Sequence, residues 1–306
     1  MILRLLGICI YFSLFGNVYP QQEYIRSETS EEKVERLEKI FLSRLNDFSC
    51  IDDCYFKEIG ELKEKAAPLV KIFIKYIQYQ KGGRTTYCKI AYALADIGEE
   101  SAPAIPYLIS YIMSQDNCMS MATLHALSGI GTPALNSIIE LLYQQNTDLT
   151  SRSILILGQM QSKASMAVPH LIKFLHDSDE RIRRTTIWAL GEIGKATSCD
   201  TDNTSNEIID ALVNSLSDDA VLVRYDAIKA LSNFDSTATF IVPLLIKSLK
   251  DEDFISNIAG RNLIKIGKKA IPILEEALKE KEFESIHEKI RWIISEIQEQ
   301  YKNSDK

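Results

Sequence analysis

The sequence predicts an all-α protein, an α-α superhelix of stacked helical hairpins, and three observations carry that expectation. A short phrase recurs: apolar residues, a leucine, two spacers and an isoleucine, usually followed by glycine. It reads Ala93-Leu94…Ile97-Gly98, Ala126-Leu127…Ile130-Gly131, Ile156-Leu157…Met160, Ala189-Leu190…Ile193-Gly194, Ala230-Leu231…Phe234 and Asn262-Leu263…Ile266-Gly267. The anchor leucines lie 33, 30, 33, 41 and 32 residues apart, a period typical of repeat architectures. A second landmark keeps step with the first. Pro68 follows Gly60 by eight residues and Pro106 follows Gly98 by eight, while Pro169 and Pro243 stand at the same distance from Gln161 and Asp235. Third, apolar residues fall at helical rather than alternating spacing, as in Ile182, Ile187, Leu190 and Ile193.

Residues 1–20 differ from the rest. Arg4 precedes an uncharged apolar run, Leu5 to Phe15, and Gly16-Asn17 follows. That is the layout of a secretory signal peptide, so the chain is expected to be exported, periplasmic or secreted. The run spans roughly 18 Å as a helix, against roughly 30 Å for a bilayer core. Retention as an anchor, or burial as a first helix, are the alternatives. No other stretch is long and apolar enough to span a membrane.

Residues 21–48 read as a linker and an N-terminal capping helix. Within them, Glu31 to Asn46 places Val34, Leu37, Ile40, Phe41 and Leu45 on one side. Residues 49–301 form the repeat array, with six clear repeats and degenerate ends. In each repeat, glycine is expected to end the first helix with a left-handed cap, and proline falls in the first turn of the second. The second helix has its own stripe, such as Val168, Leu171, Ile172 and Leu175. Neither helix can bury its apolar side alone, so hairpins must stack on their neighbours. Acidic turn residues, Asp177 and Asp179 or Asp218 and Asp219, are expected to cap the next helix. A polar insert, Lys195 to Asn206, explains the one long spacing. At the C-terminus Ile290, Ile293, Ile294 and Ile297 face the array from Glu284 to Tyr301, and residues 302–306 are a mobile tail.

The unit Leu175 to Arg183, continuing through Trp188-Ala189-Leu190-Gly191-Glu192-Ile193-Gly194, resembles the HEAT-repeat superfamily, in particular the short HEAT-like repeats of phycobilisome lyases. The resemblance covers residues 50 to 300 and implies an armadillo-like superhelix. It also implies that Arg183 and Arg224 brace turn carboxylates between repeats. The repeat near Ser256-Asn257 lacks this arginine, so looser stacking is expected there.

The composition, 46% hydrophobic and 25% charged, is that of a globular protein. A net charge of −7 speaks against nucleic-acid binding, which draws on a basic surplus. Beyond the leader the cysteines are Cys50, Cys54, Cys88, Cys118 and Cys199. Cys50 and Cys54 are close enough for a local disulfide in an oxidising compartment. Cys88 and Cys118 read as small buried side chains.

No catalytic, cofactor or metal site is expected. The histidines, His125, His170, His176 and His287, form no zinc motif, and Gly82-Gly83-Arg84 lacks the features of a phosphate loop. Asp200, Asp202 and Thr204 echo a calcium loop without its glycine or closing glutamate. The expected function is non-enzymatic binding of a protein or peptide by a monomer acting outside the cytoplasm. A subunit of a HEAT-like enzyme, bilin-lyase-like or hydroxylase-like, and a purely structural envelope component are the alternatives. HEAT-like solenoids imply a concave face lined by second helices. Candidate contacts there are Tyr76, Tyr107, Tyr111, Tyr143, His170, Lys173, Phe174 and Lys247, packing between repeats being the competing reading for each tyrosine.

Overall fold

A computed structural model describes residues 28–45, 52–80, 83–197, 204–232, 234 and 238–304. The leader, Cys50, Cys199, half of the polar insert and the last two residues lie outside the described residues. Every regular element described is helical. The capping helix α1 (Ser30–Leu45) packs Leu37 and Phe41 fully inside. First helices of successive hairpins follow as α2 (Asp53–Leu62), α4 (Gly83–Ile97), α6 (Asn117–Ile130), α8 (Thr147–Met160), α10 (Glu180–Thr197), α12 (Val221–Leu231), α14 (Asp253–Ile266) and α16 (His287–Ser304). Second helices alternate with them as α3 (Val70–Gln78), α5 (Ile105–Ile109), α7 (Leu135–Leu142), α9 (Val168–Lys173), α11 (Thr204–Asn214), α13 (Ala238–Ser248) and α15 (Ile271–Ala277).

The anchor leucines Leu94, Leu127, Leu157, Leu190, Leu231 and Leu263 are fully buried, which fixes one face of every first helix. The landmark glycines do end helices, at φ near +75°: Gly98, Gly131 and Gly267. At Gly131 and Gly267 ψ lies near −140°, the mirror of extended backbone rather than the expected left-handed helix. Gln161 and Lys63 adopt the same positive φ, so the turn is imposed by the hairpin even without glycine. Gly194 departs from the pattern: α10 runs through it to Thr197. Second helices mostly open with a 3-10 segment, such as Gly98–Ala104 before α5 or Gln161–Ala167 before α9. Pro106, Pro169 and Pro272 then sit in the first α-turn, where a missing N–H costs little.

Of the two acidic turns, Asp179 caps as expected by accepting from the Arg181 N–H at 2.8 Å, whereas α12 has Ala220 at its N-cap and no side-chain cap. Asp218 accepts from the Ala220 N–H at 2.8 Å and takes a bidentate pair from Arg183, at 2.8 and 2.9 Å. Arg183 also donates to the Asp177 carbonyl. One repeat on, Arg224 repeats both contacts, with Asp251 at 2.7 Å and with the Asp218 carbonyl. Each arginine thus ties a turn to the following turn. Where it is missing, Lys289 donates to Ser256 Oγ, which in turn donates to the Leu249 carbonyl, so the expected looser join has a substitute tie.

Candidate functional site

First helices of neighbouring hairpins meet through glycine and alanine. A Cβ at Gly129 would lie 2.6 Å from Ala95 Cβ, one at Gly191 would lie 3.0 Å from Ala230 Cβ, and one at Gly158 would lie 2.9 Å from Ala189 Cα. Two second-helix joins carry tyrosines: Tyr111 reaches the Ile77 carbonyl from α5's end, and the Tyr143 hydroxyl meets His170 Nδ1 at 2.8 Å. The first-helix row is thus a surface of closely spaced helices, distinct from the second-helix row that the resemblance implies for the concave face.

The first-helix face carries large side chains at a fixed register. Tyr92, His125 and Trp188 each stand two residues before an anchor leucine, and all three are exposed. Tyr92 and His125 have ring centroids 5.0 Å apart. Trp188, 39% exposed, borders a hollow of about 160 Å³ with Gly191, Glu192, Asp226, Lys229 and Ala230. Arg184 pairs with Asp226 at 2.7 Å along its rim. Apolar surface flanked by both signs of charge suits a polypeptide with an apolar anchor. These residues were legible only as positions that follow the anchor register on the other helix of each hairpin.

The second-helix candidates fall into separate groups. Tyr76 is a correction: it is 3% exposed, its ring packs edge-on to Phe41, and its hydroxyl donates to the Phe41 carbonyl. Burial pushes that hydroxyl's pKa up to about 12. Tyr111 is half-buried on Tyr87, ring centroids 4.4 Å apart. Tyr76 and Tyr111 line one cavity of about 330 Å³ with Tyr87, Arg84, Gln80 and Met119. The Tyr87 hydroxyl lies 2.5 Å from Thr123 Oγ1, and burial raises its pKa. Tyr143, His170 and Phe174 form a second group, with Tyr143 centroids 5.9 Å from each of the other rings. Tyr107 is half-buried, while Lys173 and Lys247 are exposed on α9 and α13 and belong to neither group.

Cys54 is a free, exposed thiol, and its expected partner Cys50 lies outside the described residues. Cys88 is buried as expected, but Cys118 is exposed at the start of α6. Among the described residues no three His, Cys, Asp or Glu side chains converge as metal ligands. No described helix is long and apolar enough to cross a membrane.

The described elements form an all-α superhelix of stacked helical hairpins. Residues 135–201 match the family model described as HEAT repeats. No curated protein matches the chain. Among solved structures, the chain is similar to an engineered protein at 21% identity, covering 64% of this chain and 96% of that one with a TM-score of 0.40. A designed armadillo repeat protein in complex with the peptide (KR)4 shares 16% identity over 68% of this chain and 100% of its own, TM-score 0.36. The karyopherin Kap121p, bound to the extreme C-terminus of the protein phosphatase Cdc14p, shares 14% identity over 88% of this chain and 35% of its own, TM-score 0.48. These overlaps are too loose to transfer residues or ligands, and none bears on the short lyase-type subclass.

Proposed function

We propose that this chain is a non-enzymatic scaffold acting outside the cytoplasm, holding an extended polypeptide segment along its first-helix face. One observation carries the reading: Tyr92, His125 and Trp188 recur at one register of the first helices, all exposed, with the Arg184–Asp226 pair beside Trp188. Aromatic side chains offer much contact area for little conformational entropy, and bordering charges fix register. The face is preformed on helices, so little ordering is needed on the scaffold's side. The leader-like N-terminal segment supports the location, and the odd cysteine count among the post-leader residues is compatible with it.

A photo-crosslinking amino acid placed at position 188, and separately at 92, tests the reading in the native host. Both positions are expected to yield a crosslinked polypeptide, whereas position 173 on the second-helix row is not. Crosslinks from position 173 alone, or none from any position, would sink the proposal.

A further inference from the structure

The Cys88 and Cys118 sulfurs lie 2.8 Å apart, on the first helices of consecutive repeats. That is closer than any other sulfur contact described, and the separation exceeds the bonded length of about 2.05 Å by less than the width of an atom. Both backbones are fixed. Cys88 is inside α4, and Cys118 sits where Asp116 caps α6 by accepting from the Cys118 and Met119 N–H groups at 2.9 and 3.1 Å.

The juxtaposition is built into the repeat. Cys88 stands six residues before its anchor leucine and Cys118 nine before the next one. Tyr225 and Phe254 occupy the same two registers later in the array, and there the two rings stack with centroids 4.5 Å apart. Side chains at these registers therefore face each other at a second join of the array, and between α4 and α6 both are thiols.

We propose that Cys88 and Cys118 are a modification site, a dithiol that closes to a disulfide joining α4 to α6 when it meets a low-molecular-weight disulfide. The reaction balances as thiol–disulfide exchange. The exposed Cys118 thiolate attacks one sulfur of the reagent, forming a mixed disulfide and releasing one thiolate. Cys88, deprotonated, then attacks the Cys118 sulfur and expels the second thiolate, so two protein thiols are oxidised and one reagent disulfide is reduced to two thiols. The order follows from access: Cys118 is exposed, whereas Cys88 is 6% exposed with a thiol that burial pushes up to about 12. The bridge would also fix Tyr87 and Met119, each adjacent in sequence to one of the cysteines and both lining the larger cavity. This inference stands independently of the peptide-binding proposal.

The test uses the full chain carrying Cys9→Ser, Cys50→Ser, Cys54→Ser and Cys199→Ser, treated with oxidised glutathione and analysed by intact mass and peptide mapping. The expected result is loss of two hydrogens, no retained glutathione, and a crosslinked peptide pair containing positions 88 and 118. Adding Cys88→Ala should stall the reaction with glutathione on Cys118. Adding Cys118→Ala, a change at an exposed site, should leave Cys88 unmodified. Two alkylatable thiols surviving the treatment, or glutathione persisting on Cys118 while Cys88 is present, would overturn the proposal.

Discussion

Replacing Gly129 by alanine sets two effects of opposite sign against each other, and the spacing of the first helices decides between them. Helix propensity alone favours alanine by about 1 kcal/mol in a helix interior. Against this, the new Cβ would lie 2.6 Å from Ala95 Cβ, 2.7 Å from Ala95 Cα and 2.9 Å from the Ala95 carbonyl oxygen. Carbon atoms pack best at about 3.5–4.0 Å, so α6 must retreat from α4 by roughly 1 Å. Two of the obstructing atoms are backbone, and no rotamer change relieves them. Overpacking of this kind costs about 1–3 kcal/mol, and retreat also opens the contacts made by the buried Ala122 and Ala126 beside it. The net expectation is a loss of about 1–2 kcal/mol. Gly260, buried in α14, is the control. There a Cβ would meet Ile293 Cδ1 at 3.6 Å and Leu249 Cδ2 at 3.9 Å, ordinary contact distances, so Gly260→Ala should gain up to about 1 kcal/mol. Urea unfolding followed by far-UV circular dichroism reads both variants as shifts of the midpoint at unchanged slope. If Gly129→Ala raises the midpoint as Gly260→Ala does, α4 and α6 are not in backbone contact at this join and the reasoning fails.

The arginine ladder predicts the response to acid. Asp251 is held below the usual carboxylate range chiefly by hydrogen bonds from Arg224, and Asp218 is held below it because Arg183 and the Ala220 N–H outweigh its burial. A carboxyl depressed in the folded state contributes stability above its unfolded pKa of about 3.9 and loses it as pH falls through the folded value, so the urea midpoint should fall below about pH 4. Asp218→Asn should cost about 1–2 kcal/mol at pH 7, because Arg183, 15% exposed, loses its charged partner, and the variant should show a shallower acid decline. An acid profile identical to that of the unmodified chain would refute the ladder's role. At Gln161, φ is +53°, which strains a residue with a Cβ by about 1–3 kcal/mol, while glycine costs about 0.5–1 kcal/mol in chain entropy. Gln161→Gly should therefore raise the thermal midpoint, and a fall would mean that the turn is not strained.

The array was legible in the sequence because its determinants are local and periodic. Leu94 through Leu263 mark buried faces, and Pro106 and Pro169 mark helix starts, so the hairpin follows from residues within one repeat length. Arg183 and Arg224 could be placed through the family resemblance rather than through spacing, since their partners lie 35 and 27 residues further on. What escaped depends on how hairpins lean on one another. Tyr76 and Tyr143 look alike in sequence, yet one is buried against Phe41 from the capping helix and the other is exposed beside His170. Nothing near either tyrosine encodes the neighbouring hairpin's distance. The same holds for Cys118, whose partner lies 30 residues earlier in a different repeat.

That distance is nonetheless written in small residues. Ala95, Gly129, Gly158, Ala189, Gly191 and Ala230 are all on first helices, just before or just after the anchor leucine. Each pair lets one backbone approach the next where a larger side chain would hold it off. Substituting the small residues by larger ones at these joins would push the first helices apart. The exposed register that includes Tyr92, His125 and Trp188 is carried by the same helices, so the close spacing also brings the Tyr92 and His125 rings near enough to meet. A partner binding there would read a surface set jointly by small residues, which fix the spacing, and large ones, which supply the contacts.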